Sequence, residues 1–489
     1  MPKTKNAIIS VFDKKGLKEI ANLLIKKKFN IYSTGGTSKY LDSIKIRHFQ
    51  ISSYTKQKEI LDGRVKTLHP KIFGGLLNTH SSHHQKELKK EKIVNFDILI
   101  VNLYPFQDTV KNTKNNDEII EMIDIGGHSL IRAAIKNYRN TIPIVDPSDY
   151  QGFIKNFPKT ELSKKKYALK ALQKITEYDI AISNWFQGTE IEEYNLRYGE
   201  NPQQNAVALI NKKSFKQISG QKKLSYNNLL DLDAAINIVY GSKTQDNICA
   251  IIKHNIPCGG AIKKTQIESY NKALEGDPLS AFGGIIAFNR KISKNTAKTL
   301  VKNFFEVIAA PGFDIEALDI LKTKRNLRVL KVKKINNKTE QRSFFAGALI
   351  QDSNVKKNSI EIINGDNKLK KDRIDFFINI LKYVKSNAIT LFDEDSLISQ
   401  SGGQTSRIDA LQNCFYKLKI KHAQKKIRKL FLFSDAFFPF TDSLSFIKKQ
   451  KMIIHIYAPM GSQNDTKIRN YIKKNNINFI KLNNRHFKH

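Results

Sequence analysis

A lysine, a histidine, a cysteine and two glycines fall within IIKHNIPCGG, residues 251–260. Each points to a different chemistry. His254 at a strand end can act as a general base near neutral pH if a neighbour orients it. Lys253 can hold a phosphate, stabilise an oxyanion or form a Schiff base. Cys258 can be a nucleophile or a metal ligand. Taken alone, the histidine reads more readily as a structural residue. The chain has three cysteines, Cys249, Cys258 and Cys414, and no CxxC pair. Neither a disulfide framework nor a zinc cluster is expected, and a reducing compartment fits.

The first half carries groups suited to an anion. STGGT (Ser33, Thr34, Gly35, Gly36, Thr37) follows a predicted strand and opens a helix. Small residues there let backbone N–H groups approach a phosphate, although a plain tight turn reads the same way. DGRVKTLHPKIFGGLL, residues 62–77, sets Arg64, Lys66, Thr67, His69 and Lys71 on a segment without clear period. VNLYPF puts Asn102 and Tyr104 at the end of the strand DILI, where open parallel sheets bind ligands. IDIGG places Asp124, Ile125, Gly126 and Gly127 at a second helix start. Lys136 lies about three turns further on and reads as a surface lysine. Together these motifs imply a crevice for a phosphorylated small molecule.

The second half adds LRYGENPQQNA with Arg197 and Tyr198, and LSYNNLLDLDAA, whose polar residues read as helix capping. DPLSAFGG contributes Gly283, and KSNAIT and SGGQTSR contribute Asn387, Gln404 and an arginine. In SDAFFPFTDS, Phe437 and Phe438 either stack on a flat ring or fill a core. Arg485 in the terminal NNRHFKH could reach an anion.

Positioning these groups requires a βα alternation. NAIISVF, FNIYSTG, DILIVNLY and TIPIVD read as strands, with helices between, over residues 1–145. That rhythm predicts a parallel sheet covered on both faces. Residues 146–195 read as a helical connecting segment without strand signal. Residues 196–489 repeat the α/β rhythm and could hold two subdomains, interrupted by a polar stretch at 354–372. A chain of 489 residues exceeds one ordinary core. No apolar run is long enough for a membrane span and no leader is evident, so the cytoplasm is expected. The formal charge of +38 raises nucleic-acid binding. The lysines are spread over solvated helix faces, however, so no nucleic-acid partner is expected.

In order along the chain, these motifs resemble one family: the bifunctional purine-biosynthesis proteins, which join aminoimidazole carboxamide ribonucleotide formyltransferase to IMP cyclohydrolase. The resemblance runs from STGGT to RHFKH. It implies a methylglyoxal-synthase-like parallel-sheet domain followed by two cytidine-deaminase-like α/β subdomains that lack catalytic zinc. It implies formyl transfer from 10-formyltetrahydrofolate to the 5-amino group of the ribonucleotide, then dehydrative ring closure to IMP. It also implies a homodimer with shared transferase sites.

By position, the resemblance implies a cyclohydrolase site at Ser10, Lys14, Ser33 to Thr37, Arg64, Lys66, Thr67, Asn102, Tyr104 and Asp124 to Gly127, with Lys136 in a proton-transfer role. For the transferase it implies Lys253 and His254 as catalytic groups. Arg197, Tyr198, Gly283, Glu306, Asn387, Phe437 and Arg485 would be nucleotide contacts, and Gln404, Asp442 and Gly461 folate contacts. A free-standing methylglyoxal synthase would leave the second half idle. A zinc deaminase would need an HxE and a PCxxC, and PCGG supplies one cysteine.

Overall fold

The computed structural model describes residues 5–188, 191–211, 214–333, 339–423 and 427–489; residues 1–4, part of the stretch read for a leader, lie outside them. The chain divides into two compact units, Met1–Thr189 and Glu190–His489.

The N-terminal unit is built on five parallel strands: β1 (Lys5–Val11), β2 (Phe29–Ser33), β3 (Phe49–Gln50), β4 (Ile98–Asn102) and β5 (Ile142–Ile144). Their order is β3-β2-β1-β4-β5. Successive side chains of β1 enter different cores. Ala7 and Ile9 join one with the helix Leu17–Lys26, and Ile8 joins the other with Leu130 and Ile131. Burial on both faces explains the continuous apolar runs in sequence. The helix Leu17–Lys26 buries Leu17, Ile20, Ala21 and Leu24, the i, i+3, i+4, i+7 stripe of one face. Much of the segment read as a connector packs onto this sheet: Tyr150 and Phe153 enter the first core, Ala171 and Ile175 the second. Strand order reverses between β1 and β4, so their carboxyl ends open a crevice.

The second unit begins with a hairpin, β6 (Ile191–Asn195) and β7 (Val207–Asn211). No strand signal is visible here because the ribbon has no fully buried face to impose alternation. Two six-stranded sheets follow. The first holds β8 (Phe215–Ser219), β9 (Asn247–Lys253), β10 (Ile256–Lys263), β11 (Ile285–Phe288), β12 (Val307–Ala310) and β13 (Arg328–Val332). Next comes a separate hairpin, β14 (Thr339–Phe344) and β15 (Gly347–Asp352). The last sheet holds β16 (Ile360–Asn364), β17 (Ile389–Phe392), β18 (Leu397–Ser401), β19 (Lys429–Ser434), β20 (Ile453–Pro459) and β21 (Asn478–Leu482).

The two large sheets share one topology. Their orders are β10-β9-β11-β12-β13-β8 and β18-β17-β19-β20-β21-β16. Read across, both pair antiparallel, antiparallel, parallel, parallel, antiparallel. An N-terminal parallel-sheet unit and two α/β subdomains are therefore the architecture, as expected. One core takes side chains from both subdomains, including Ile252, Phe377, Phe392 and Phe433.

In the stretch 251–260, Pro257 followed by Cys258 and two glycines ordinarily marks a turn after the strand, but the structure places the turn earlier. The turn is His254-Asn255, and Pro257 to Gly260 lie inside β10. Cys258 is a buried strand residue rather than a turn residue. Gly259 and Gly260 serve packing rather than turning. A Cβ at Gly259 would lie 2.1 Å from the Ala273 carbonyl oxygen, and one at Gly260 2.6 Å from Ile380.

Candidate active sites

In the N-terminal unit two helices aim their amino ends at the crevice, Gly35–Ser43 and Gly126–Lys136. Thr34 gives the first no side-chain cap, which leaves its backbone N–H groups for a ligand; at the second, Ile125 cannot cap and Asp124 takes the Gly127 N–H instead. Thr34 would ordinarily cap the first, but its hydroxyl meets Ser10 Oγ at 2.8 Å. Thr37 Oγ1 donates to the Val11 carbonyl and accepts from its N–H, both at 3.0 Å, which ties the turn to β1. Asn102 Oδ1 accepts from Phe12 and Asp13 N–H at 2.6 and 3.0 Å, fixing the loop that carries Lys14. A cavity of about 280 Å³ is lined by Ser33, Thr34, Gly35, Glu59 and Lys66, among others. The hydroxyls of Ser33 and Ser38 are buried there without a partner among the described residues.

The basic loop joins the two helix ends. Lys66 Nζ stands 3.6 Å from Glu59 Oε2, and Glu59 Oε1 lies 3.2 Å from where a Cβ at Gly35 would be. Thr67 Oγ1 is 3.1 Å from the corresponding position at Gly126. Arg64 pairs with Glu121 at 2.5 Å. Asp124 Oδ1 accepts from Gly127 N–H at 2.6 Å, and the Tyr104 ring meets Phe12 edge-on at 5.6 Å. Burial pushes the Asp124 carboxyl up, against backbone donors at Gly127, Tyr104 and His128 and the nearby His128 ring. Ile125 is exposed beside them. Lys136 stands apart: it ends the helix that Gly126 begins, about 15 Å away by the helical rise.

In the second unit Lys253 closes β9, and Lys253 Nζ donates to the Phe282 carbonyl at 3.0 Å. Gly283, at φ 68°, lets that carbonyl approach; a Cβ there would sit 3.1 Å from Lys253 Nζ. His254 and Asn255 have φ of 54° and 59°, a two-residue left-handed hairpin turn. Asp231, on the helix Tyr226–Tyr240, accepts the Asn255 N–H. On the same helix Asn228 Nδ2 donates to Glu306 Oε2 at 2.9 Å. Arg328 Nη1 lies 3.5 Å from that oxygen. The Arg197 guanidinium lies over the Tyr198 ring at 4.6 Å and donates to its hydroxyl at 2.6 Å. Asn228 forms the expected capping box with Ser225. Asp231 does no capping, and its contact with the turn joins residues 24 positions apart, beyond the reach of local pattern.

A further group of expected residues gathers at the other sheet. Arg485 lies 4.7 Å from the Phe437 ring centre, and Arg485 Nη2 is 3.4 Å from the Gly461 carbonyl. Phe437 is half-buried, whereas Phe438 belongs to the core. Asn387 Nδ2 donates to the Gln404 carbonyl at 3.0 Å, and Asn387 Oδ1 accepts from Arg407 Nη2 at 2.8 Å. Arg407 also pairs with the buried Asp435. Asp442 is exposed at the start of the helix Asp442–Lys448. Cys258, with its thiol pushed up to about 12 by burial, is no nucleophile in this setting. Among the described residues no cluster of three or more His, Cys, Asp or Glu could hold a metal.

A parallel-sheet unit with two helix amino ends at its crevice, joined to a duplicated α/β unit bearing a Lys-His pair, defines a two-site enzyme of anionic substrates. A model of the MGS-like domain matches residues 16–129, and a model of the AICARFT/IMPCHase bienzyme matches residues 134–417. Proteins named "Bifunctional purine biosynthesis protein PurH" are similar over nearly the whole length. The one from Prochlorococcus marinus strain MIT 9515 is 40% identical, covering 99% of both chains. Those from Fusobacterium nucleatum and Clostridium botulinum are 38% and 39% identical, covering 99% of this chain and 100% of theirs. The chain belongs to the AICARFT/IMPCHase bienzyme family. It is a bifunctional enzyme, a formyltransferase and an IMP cyclohydrolase, of the last two steps of IMP synthesis.

Proposed function

We propose that the two reactions divide between the two units. The N-terminal crevice closes the ring. The 33–37 turn, with the unpartnered hydroxyls of Ser33 and Ser38 and the ammonium of Lys66, holds the nucleotide phosphate. Ser10, Lys14, Arg64, Thr67, Asn102 and Ile125 line the same strand ends. Closure joins two parts of one molecule, so holding the phosphate while the formamide folds inward supplies much of the rate. Asp124, Tyr104 and Lys66 supply proton transfer, with the buried Asp124 suited to holding a proton. Lys136, at the far end of its helix, stays out of this contact set.

The second unit transfers the formyl group. An aromatic amine conjugated to a carboxamide is a poor nucleophile and needs its proton removed as the C–N bond forms. His254 takes that proton, and Lys253 stabilises the oxyanion that develops on the formyl carbon. Arg197, Tyr198, Gly283 and Glu306 meet the nucleotide on that side, and Asn387, Phe437 and Arg485 on the other. Gln404, Asp442 and Gly461 face 10-formyltetrahydrofolate. The observation that carries the reading is the pair Lys253-His254 held at a hairpin tip between Asp231 and the Phe282 carbonyl.

The working form is a homodimer with shared transferase sites. Asp231 faces the Lys-His turn, whereas Asp233, two positions on and so nearly opposite on the helix, is influenced by Lys488 of the terminal segment. One helix thus stands between the two halves of the site, and a second copy brings them together. The hairpin β14–β15 supports this. It is exposed throughout and carries Phe345, Leu349 and Ile350. An isolated two-stranded ribbon is marginal in water and gains from cover.

The test is His254→Ala. Formyl transfer is lost, while ring closure of supplied formylated nucleotide continues at the parent rate. Loss of both activities in folded protein would sink the division into two sites.

A further inference from the structure

The His254-Asn255 turn is left-handed at both residues, with φ of 54° and 59°. That backbone is strained for residues bearing side chains, and turns of this type ordinarily place glycine at the second position. Asn255 tolerates the conformation but does not enforce it. Something outside the turn must hold it, because a relaxed turn redirects the His254 imidazole.

Asp231 is placed to do so. It is 8% exposed, well inside the helix Tyr226–Tyr240 and past the first turn where carboxylates cap. Its carboxylate accepts the backbone N–H of Asn255, the second residue of the turn. A buried carboxylate is costly unless it is bonded, so its presence at this position requires a reason. The same helix, one turn back, holds Glu306 through Asn228 Nδ2. A single rigid helix therefore fixes both the turn and the carboxylate proposed for the nucleotide.

We infer that Asp231 is a positioning residue for formyl transfer, holding the His254-Asn255 turn left-handed and so fixing the direction of the imidazole. This rests on His254 being the base. Asp231 acts through the turn, by its bond to the Asn255 N–H.

The test compares Asp231→Ala, His254→Ala and the double variant Asp231→Ala/Asn255→Gly in the full chain. Asp231→Ala lowers kcat for formyl transfer about 100-fold, the scale of a misplaced catalytic group. The nucleotide KM stays within about twofold, and ring closure of supplied formylated nucleotide is unchanged. Adding Asn255→Gly recovers about tenfold, because glycine adopts the left-handed turn without strain. If Asp231→Ala does not fold, Asp231→Asn keeps one acceptor oxygen and shows a loss of about tenfold with the same glycine recovery. Full activity in the Asp231 variants, or no recovery with glycine, overturns the inference. If His254→Ala itself transfers formyl groups at the parent rate, the base assignment fails instead, and the two failures are distinct.

Discussion

The guanidinium of Arg485 lies 4.7 Å from the ring centre of Phe437. The tail and the loop after β19 are distant in sequence, and this contact makes them one surface. A planar cation on a ring face gives a flat platform with donors at its rim, suited to a phosphorylated heterocycle. Arg485→Ala raises the nucleotide KM of formyl transfer at least about tenfold, the loss of a charge-assisted contact. Arg485→Lys recovers little, since a point charge neither stacks nor forks. Ring closure of supplied formylated nucleotide is unaffected in both. Steady-state kinetics of the two half-reactions check this, and full rescue by lysine would refute the stacked geometry.

Glu59 puts a negative charge inside a cavity proposed for phosphate. Its carboxylate stands 3.6 Å from Lys66 Nζ, so an incoming anion must compete for that ammonium. Both side chains are about a third exposed, which keeps the pair weak. Glu59→Gln releases Lys66 and lowers the KM for ring closure by about two- to fivefold at low salt. The gain shrinks as ionic strength rises and screens the charge. An unchanged or higher KM at low salt would place the phosphate elsewhere.

What was legible in the sequence follows from local physics. β1, β4, β9 and β19 are apolar runs because both faces are covered, and the two helix starts announce themselves through STGGT and IDIGG. The sites were legible as residue types next to those elements: Lys66 beside the 33–37 turn, and His254 beside Lys253. What was hidden depends on long-range pairing. The β8–β13 contact joins residues more than a hundred positions apart. The duplicated topology is invisible without that pairing. Cys258 and Gly259-Gly260 resembled a turn because Pro257 precedes them, yet they pack within β10. Glu59 and Asp231 look like ordinary surface and capping acids until the chain brings Lys66 and Asn255 to them.

Asp124 carries a pH signature. Burial raises its pKa above 3.8 in the folded protein. The folded state then holds a proton more tightly than the unfolded chain does. Stability from this group is fully present below pH 3.8 and is lost as pH rises through the raised folded value. Asp124→Asn removes the charged form but keeps an oxygen for the Gly127 N–H. The variant therefore unfolds in its N-terminal unit at a higher temperature than the parent at pH 7, and the advantage disappears below pH 3.8. Ring closure is lost at both pH values. Calorimetry across pH 3 to 8 checks the sign, and a variant less stable at pH 7 would contradict it.

His486 carries the opposite signature. It is fully buried, and neither ring nitrogen has a hydrogen-bond partner among the described residues, although its backbone N–H donates to the Asp435 carbonyl at 2.8 Å. Burial, aided by the charge of Lys382, pushes its pKa down to about 4. As pH falls, the unfolded chain binds a proton near 6.5 while the folded state still excludes it. Stability present above pH 6.5 is therefore lost progressively between pH 6.5 and about 4. His486→Leu removes both the unsatisfied polar atoms and the titration. It stabilises the second unit by on the order of 1 kcal/mol at pH 7.5, the usual cost of a buried unpaired group. The margin widens down to about pH 4 and then levels, because both states of the parent are protonated below it. Thermal unfolding at pH 7.5, 6 and 5 measures the slope. Parallel pH profiles for parent and variant would show that the ring reaches solvent or a partner before it charges.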